Sequence, residues 1–375
     1  MYPLLPRTYR RALKCGVVMW SLLIAGYASA AESSASKEGF VAGDFIVHHV
    51  QDAHEIHFFG DVHIPLPVIS YAPGTGQFDI FMSSALHHGA HQGSSGLWYT
   101  LNHETGMLEA YDHEPSGHGH HDGDVHEGHA GHDHGSVAII DFSITKSVFG
   151  MLFMMGLILF LFGKAGRAYS ARKGQAPSGL QNFLEPLVLF IRDEVAVPSI
   201  GEKKAARYTP FLLTVFFFIL FSNLLGLIPF LGGFNITGTL GITIVMATFV
   251  FIITTVSGNK HYWGHILWPP GVPLPIKFIL VPIEIMSIFM KPSILMIRLT
   301  ANITAGHVII LSFTSLVFIL SEQFGSGAGY GAGVFSTLFM IFMYLIEFLV
   351  AFLQAYVFTL LAALYFGEAT HEAHH

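Results

Sequence analysis

Long uninterrupted stretches of apolar residues dominate the second half of the chain and predict its architecture. The stretches cover residues 142–162, 210–231, 238–256, 276–320 and 334–366. A helix that crosses a bilayer needs about 20 mostly apolar residues, so each stretch predicts at least one transmembrane helix. The pattern therefore predicts an all-α polytopic membrane protein with about five to six membrane helices.

The fourth stretch, residues 276–320, is too long for one perpendicular crossing. A helix of that length reaches about 67 Å, which is about twice the hydrocarbon core. We expect either two helices that meet at a bend at Pro292, forming an in-membrane hairpin, or one steeply tilted helix. Residues 334–366 are also expected to tilt or to protrude from the bilayer.

The basic residues indicate how the spans are oriented. Between Glu38 and Thr145 there is no Lys or Arg, but there are 17 of the 23 His and 15 acidic residues. The next loop, residues 163–208, holds eight Lys or Arg. Because Lys and Arg accumulate in cytoplasmic loops, residues 31–141 are expected outside and the basic loop inside. Alternation of the spans then places the C-terminus in the cytoplasm.

Three shorter segments follow from this orientation. Residues 180–197 mix apolar residues with charged ones and predict a helix on the inner membrane surface. The loop 257–275, which carries Lys260, is expected inside. The Gly-rich segment 325–333 has no basic residue and is expected to be an outside loop.

The N-terminal part divides into three expected segments. Residues 1–30 have a basic start, a short apolar run and Ala28-Ser29-Ala30, which predict a secretory signal peptide. An uncleaved signal anchor is the alternative. Residues 31–112 then form an extracytoplasmic region, with strands and turns expected between 40 and 101, and residues 113–135 form a His-rich loop.

Composition excludes several functional classes. Only 11% of the residues are charged, against about 25% in soluble domains, which excludes an ordinary cytosolic enzyme. The chain has no GxxxxGK[ST] phosphate loop and no GxSxG elbow, so nucleotide hydrolysis and serine-type intramembrane proteolysis are not expected. No cofactor and no nucleic-acid partner are expected.

Eight His lie among Gly, Asp and Glu in residues 113–134. Three interpretations stay open: a solvated loop, a proton buffer, or a weak metal buffer, since imidazole binds Zn, Cu and Ni. The candidate metal ligands are His118, His120, His121 and His126.

Polar residues inside the apolar stretches are the main functional candidates. An ionisable side chain at membrane depth costs at least about 2.5–3.5 kcal/mol, so it marks function by default. The ionisable residues are Glu284, Lys291, Arg298, His307 and Glu347, with Asn223, Asn302 and Gln354 as uncharged companions.

Spacing assigns these candidates to helix faces. Glu284, Lys291 and Arg298 are seven residues apart and share one face. His307 follows Arg298 by nine residues, half a turn in angle, and so is expected to point away from it. Glu347 and Gln354 are again seven apart. Lys291 is expected either to snorkel to an interface or to pair with Glu284.

Arg298 is the hardest of these residues to explain as structural. Its guanidinium stays charged, and small residues follow it at Thr300, Ala301, Thr304, Ala305 and Gly306. Small residues let another helix approach closely. We therefore expect a partner helix with a negative charge at the same depth, supplied by this chain or by another protein.

Three regions together resemble subunit a of the F-type ATP synthase membrane sector. Residues 291–307 read KPSILMIRLTANITAGH, residues 347–358 read EFLVAFLQAYVF, and residues 223–229 and 234–239 read NLLGLIP and FNITGT. Glu284 also falls at a family position. The resemblance covers about residues 142–368, roughly 60% of the chain.

The resemblance implies a proton-translocating stator subunit beside a rotating c-ring, with the b-subunit peripheral stalk as a further partner. Arg298 then is the essential arginine between two half-channels, and His307 and Glu347 line the outer one. Asn302, Gln354, Asn223 and Glu284 complete the implied proton path. Such a subunit is not catalytic alone and lies in the bacterial inner membrane.

Two positions depart from the pattern of many bacterial members. The order here is His307 then Glu347, where many have Glu then His, and Gly226 stands where many have Asp. The alternative to the stator function is a secondary metal or cation transporter with a His-rich loop. That class needs several ligands at one depth, and a central arginine repels cations.

Overall fold

The computed structural model of the protein describes residues 52–59, 62–86, 89–102, 106–115, 136–171, 175–228, 234–269 and 271–371. The expected signal peptide, residues 1–30, lies outside the described residues. The candidate metal ligands His118, His120, His121 and His126 also lie outside them.

Helices make up the described chain from residue 146 onward. They are α1 (Lys146–Ala171), α2 (Leu180–Phe190), α3 (Val197–Ile200), α4 (Glu202–Gly226), α5 (Leu240–Ser257), α6 (Lys260–Leu267), α7 (Leu274–Phe324) and α8 (Ser326–Thr370). Five of these, α1, α4, α5, α7 and α8, are long and apolar enough to cross a membrane. The five apolar stretches thus correspond to five membrane helices.

Helix α7 is one continuous helix of 51 residues, although Pro282 and Pro292 lie inside it. Two separate helices meeting at Pro292 were therefore the wrong alternative. At 1.5 Å per residue α7 extends about 77 Å, so it crosses a 30 Å hydrocarbon core at a steep tilt.

The prediction of a Gly-rich loop at residues 325–333 was wrong. Gly325 alone separates α7 from α8, and its φ of 85° lets the chain reverse at that single residue. The glycines that follow are helical, because in an apolar environment the helix satisfies the backbone groups that water would otherwise bind. Helices α7 and α8 therefore form a long hairpin.

The segment between α1 and α4 is helical, as predicted for residues 180–197. Helix α2 continues through a π-helical turn, Ile191–Ala196, into α3. Ile191, Val195 and Ala196 are buried in the core of the bundle. Residues 257–275 were expected to form a loop, but they contain helix α6.

The main core lies where α4 packs against α8. Its largest buried members on α4 are Phe216 and Phe217, and the same core contains small residues of α8. The small residues are Ala355, Ala362 and Ala363. Small side chains allow the helices to approach closely in an apolar environment.

The N-terminal region contains short antiparallel strands, as expected between residues 40 and 101. The strands are β1 (Glu55–Phe59), β2 (Val62–Pro65), β3 (Pro67–Ala72), β4 (Gln77–Met82), β5 (His91–Gln92), β6 (Trp98–Leu101), β7 (Leu108–Tyr111) and β8 (Ile140–Asp141). They form a β1-β2 pair, a β4-β3-β8 sheet and a β5-β6-β7 sheet. Val68 and Tyr99 are fully buried between the two larger sheets.

This region packs on the end of the bundle where α1 begins. Ile56 and Leu66 share a hydrophobic cluster with Met154 of α1 and with Phe234 and Ile236, which precede α5. The opposite end carries the last turn of α8. There, Lys204 and Asn259 donate hydrogen bonds of 2.7 and 3.0 Å to the Thr370 carbonyl, which caps the helix.

Candidate functional site

Helices α4, α7 and α8 line a small, partly open cavity that contains four polar side chains. Its lining residues are Asn223, Leu227, Asn302, Ile303, His307, Glu347, Val350 and Ala351. The cavity has a volume of about 20 Å³, which is room for about one water molecule. A titratable imidazole and a carboxyl group therefore share one space.

The carboxyl group of Glu347 is the least satisfied polar group of this cavity. Both of its oxygens are buried, and among the described residues neither has a hydrogen-bond partner. A lasting bare charge in such a place is costly, so the site favours a group that gains and loses a proton. The carboxyl group lies against Gly306, the residue that precedes His307.

His307 has room because of a glycine on α4. A Cβ atom at Gly226 would lie 3.5 Å from Nε2 of His307 and 2.8 Å from the Phe234 carbonyl oxygen. A methyl group at position 226 would therefore press on the Phe234 carbonyl and make van der Waals contact with His307. The glycine keeps the imidazole edge free on that side.

Asn223 holds the cavity together. Its side-chain nitrogen donates to the Ala351 carbonyl of α8 at 3.4 Å, and its oxygen accepts a hydrogen bond from the Thr237 hydroxyl. The amide thus joins α4, α8 and the turn before α5. This is the interhelical hydrogen bonding expected of a buried amide in a membrane protein.

Arg298 lies on the outer surface of the α7–α8 hairpin. Its side chain is exposed, and within the part of the chain that the structure describes it forms no hydrogen bond or salt bridge. Ala301 and Ala305, on the same face, are also exposed. Thr300 instead bonds Thr243 of α5 at 2.8 Å. The guanidinium is therefore presented on an exposed helix face beside small residues.

A second polar cluster lies toward the other end of the bundle. Lys291 of α7 forms a salt bridge with Glu368 of α8, and its ammonium lies 5.3 Å from the Tyr365 ring centroid. These residues line a smaller cavity of about 10 Å³ together with Tyr262. The pairing of Lys291 with Glu284 was therefore wrong: Glu368, 77 residues away, takes that place.

The structure brings together four of the residues chosen from the sequence: Asn223, Asn302, His307 and Glu347 all line the larger cavity. The other four lie elsewhere: Arg298 on the surface, Glu284 near Tyr262, Lys291 in the second polar cluster, and Gln354 buried in α8 outside the cavity.

Two contributors to the site were missed. Gly306 was read as part of a smooth outer face, but it lies under Glu347. Lys146, the first residue of α1, lies within electrostatic range of His307. Lys146 is the only Lys or Arg between Lys37 and Lys164, a signal that the sequence did contain.

The described residues contain no group of three or more His, Cys, Asp or Glu side chains that could hold a metal ion. The arrangement instead suits proton transfer, because it combines a His–carboxyl pair in one cavity with a separate exposed cation. Five spanning helices arranged in this way define a polytopic membrane protein of the ion-translocating class.

The particular family follows from comparison with known proteins. The family model described as ATP synthase A chain matches residues 148–367, and the chain belongs to this family. Proteins of this family are non-catalytic, proton-translocating subunits of the ATP synthase membrane sector. A second model, described as a domain of unknown function, matches residues 45–134.

Three relatives illustrate the similarity. ATP synthase subunit a of Pelodictyon phaeoclathratiforme is 43% identical over 245 residues, covering 64% of this chain and 69% of the relative. Subunit a 2 of Chlorobaculum tepidum is 36% identical over 357 residues, 92% of this chain and 78% of the relative. Subunit a of Anaeromyxobacter sp. (strain Fw109-5) is 38% identical over 244 residues, 63% of this chain, which spans just over half (56%) of that relative.

Proposed function

We propose that this chain is the stator subunit that carries protons to and from the c-ring of an F-type ATP synthase. The observation that carries the proposal is the cavity in which Glu347, without a hydrogen-bond partner among the described residues, faces the same space as His307. Such a pair can pass a proton between water and a ring carboxylate. Proton transport is favoured over Na⁺ transport, because an imidazole nitrogen can accept and donate a proton.

The surface for the ring is the exposed face around Arg298. On α7 this face includes the exposed residues Ile294, Ala301, Asn302 and Ala305. Around the cation the face is mostly apolar, and Asn302 is the uncharged polar residue one turn beyond Arg298. A ring of small helical hairpins, each with one carboxylate at the same depth, has the complementary shape and charge.

Arg298 then controls the charge state of the ring. A ring carboxylate that faces lipid is neutral, because a bare charge in hydrocarbon is costly. Beside Arg298 the anion is stabilised, so the carboxylate releases its proton to one half-channel. Further rotation brings a carboxylate to the other half-channel for reloading. Each proton that crosses gains about 2.3 kcal/mol per 100 mV of membrane potential.

Asn223 and Asn302 belong to the outer path, because they line the cavity with His307 and Glu347. Glu284 lies on the other side of Arg298 along α7, near the Lys291–Glu368 pair, and is assigned to the inner path. Gln354, one helical repeat beyond Glu347 on α8, is assigned to the boundary between the two paths.

The proposed location is the bacterial inner membrane, with the N-terminal region outside and the C-terminus in the cytoplasm, and with a b-subunit stalk as a further partner. Support comes from the basic residues at one end of the bundle, Lys164, Arg167, Lys203, Lys204 and Arg207.

A reporter that is active only outside the cytoplasm is expected to work when fused after residue 117. Activity of that reporter when fused after residue 171 would reverse the orientation.

The central test replaces Arg298 with Ala in membrane vesicles that hold the assembled synthase. We expect loss of ATP synthesis and a passive proton leak when a potential is imposed, since the fixed positive charge between the paths is gone. Arg298→Lys keeps a positive charge but loses the planar guanidinium group. This variant should therefore fail to couple proton flow to ATP synthesis, but it should leak fewer protons than Arg298→Ala.

The matched control is Lys277→Ala, a cation on the same helix whose ammonium lies 4.1 Å from the centroid of Trp268. This variant is expected to synthesise ATP normally. Normal ATP synthesis by the Arg298→Ala variant, with assembly verified, would reject the proposed function.

A further inference from the structure

The outer end of the polar path contains one cation, Lys146, which the family mechanism does not use. It is the first residue of α1, and it is partly buried. The segment between Lys37 and Lys164 has no other Lys or Arg. A solitary cation placed close to the candidate proton relay requires a physical explanation.

Lys146 is within electrostatic range of two titratable groups, His307 and Asp52. The positive charge of Lys146 disfavours a second positive charge on His307, and the negative charge of Asp52 offsets that effect. The charge of Asp52 therefore reaches the relay through Lys146.

The backbone around Asp52 is fixed to the start of α1. The Asp52 carboxylate accepts a 2.9 Å hydrogen bond from the Ser147 backbone N–H, which caps α1 from a position 95 residues earlier. The Ala53 carbonyl accepts from the Lys146 N–H at 2.8 Å. The Ser147 hydroxyl also bonds the Thr239 hydroxyl at 2.8 Å, in the turn that holds the cavity through Thr237.

Apolar packing seals the same junction. Ile56, with 1% of its surface exposed, and Leu66, with 4%, pack in one cluster with Phe234 and Ile236. Phe234 supplies the carbonyl oxygen that lies closest to Gly226, beside His307. The N-terminal region thus packs against Phe234 and Ile236, and the Phe234 carbonyl lies beside the glycine that contacts His307.

We propose that the N-terminal region forms the outer gate of the proton path, with Lys146 as a positioning residue whose charge is balanced by Asp52. The inference rests on the proposed function, because it concerns access to His307 and Glu347. Among the described residues, the charged or titratable groups that face His307 are Lys146 from α1 and Glu347 from α8. Helix α4 contributes the uncharged Asn223.

The test separates the charge of Asp52 from the hydrogen bond by which Asp52 caps α1. Asn caps a helix about as well as Asp, so Asp52→Asn removes the charge and keeps the hydrogen bond to Ser147. ATP-driven proton pumping is measured with a pH dye, across a range of pH, in inverted vesicles that hold the complete synthase. We expect Asp52→Asn to slow pumping about fivefold and to move its pH profile to lower pH, because an unbalanced Lys146 opposes protonation of His307.

The double variant Asp52→Asn/Lys146→Met removes both charges and is expected to return the rate to within about twofold of the wild type. The matched control, Asp112→Asn, changes an exposed carboxylate in the same region and should leave the rate and profile unchanged. A wild-type rate and profile for Asp52→Asn would overturn the proposal. Equal impairment of the single and double variants would also overturn it, because it would indicate a merely structural effect.

A parallel Glu347→Ala variant keeps the two proposals apart. Normal pumping by Glu347→Ala would reject the proposed proton path itself. Loss of pumping in Glu347→Ala, together with wild-type behaviour of Asp52→Asn, would reject only the outer gate.

Discussion

The carboxyl group of Glu347 lies directly against the Cα atom of Gly306, on the facing helix of the hairpin. An added Cβ at Gly306 would have Oε1 of Glu347 as its nearest neighbour and would lie 2.9 Å from the Glu347 Cδ. Glycine in a helix interior costs about 1 kcal/mol relative to alanine. The helix therefore carries this cost at the position where the Glu347 carboxyl group packs against it.

Gly306→Ala is expected to reduce ATP-driven proton pumping at least about tenfold, because the methyl group displaces the Glu347 carboxyl from the cavity. Alanine has a higher intrinsic helix propensity than glycine, so a loss of activity cannot come from a weaker helix. The control is Gly333→Ala, where the added Cβ would meet its nearest neighbour, Val317, at an ordinary 3.8 Å. Equal pumping by both variants, with equal assembly, would contradict this account.

Gly226→Ala probes the other side of the imidazole. The new methyl group would press on the Phe234 carbonyl at 2.8 Å and contact His307 at 3.5 Å. We expect about 1–3 kcal/mol of destabilisation, measured by thermal unfolding of the purified complex, and slower pumping. Gly241→Ala, which has open space around its Cβ position, is the control and should match the wild type.

The N-terminal region depends on one buried carboxylate, Asp79. Burial raises the pKa of Asp79, but hydrogen bonds from Ser94, Ser95 and Tyr99 outweigh burial and lower the pKa from 3.8 to about 2. Because the folded pKa is depressed, this stabilisation is complete above about pH 4 and is lost as pH falls toward 2. It amounts to about 1–2 kcal/mol after allowance for solvent screening.

Hydrogen exchange of residues 62–115 in the purified complex should therefore lose protection between about pH 4 and pH 2. Asp79→Asn should lower protection at neutral pH and flatten the pH dependence in that window. A wild-type acid profile in the Asn variant would show that another group controls this region.

The membrane helices could be predicted from the sequence because a bilayer requires long apolar runs, and those runs are local. The continuity of α7 through Pro292 could not be predicted from the sequence. A proline only permits a bend, and the packing of α7 against α5 and α8 decides whether the bend forms. The helical start of α8 at Ser326 was missed for a related reason. Glycine propensities measured in water do not describe a segment that must satisfy its own backbone.

The polar members of the cavity could be chosen from their unusual position in apolar segments, but their partners could not. The Lys291–Glu368 pair joins residues 77 apart, and the contact of Asp52 with the start of α1 spans 95 residues. No periodic pattern links residues at such separations. Only the fold decides that Glu368 rather than Glu284 reaches Lys291.

Exchange of the two relay residues is the most direct test of the cavity. His307 and Glu347 line the same space, so His307→Glu combined with Glu347→His leaves one imidazole and one carboxyl group there. Each single change leaves two groups of one kind, which either repel each other when charged or lack a complementary partner. The double variant should therefore pump protons faster than either single variant. Gln354→Ala, a buried change outside the cavity on the same helix, should impair pumping less than Glu347→Ala. A double variant slower than both single variants, with assembly intact, would reject the relay.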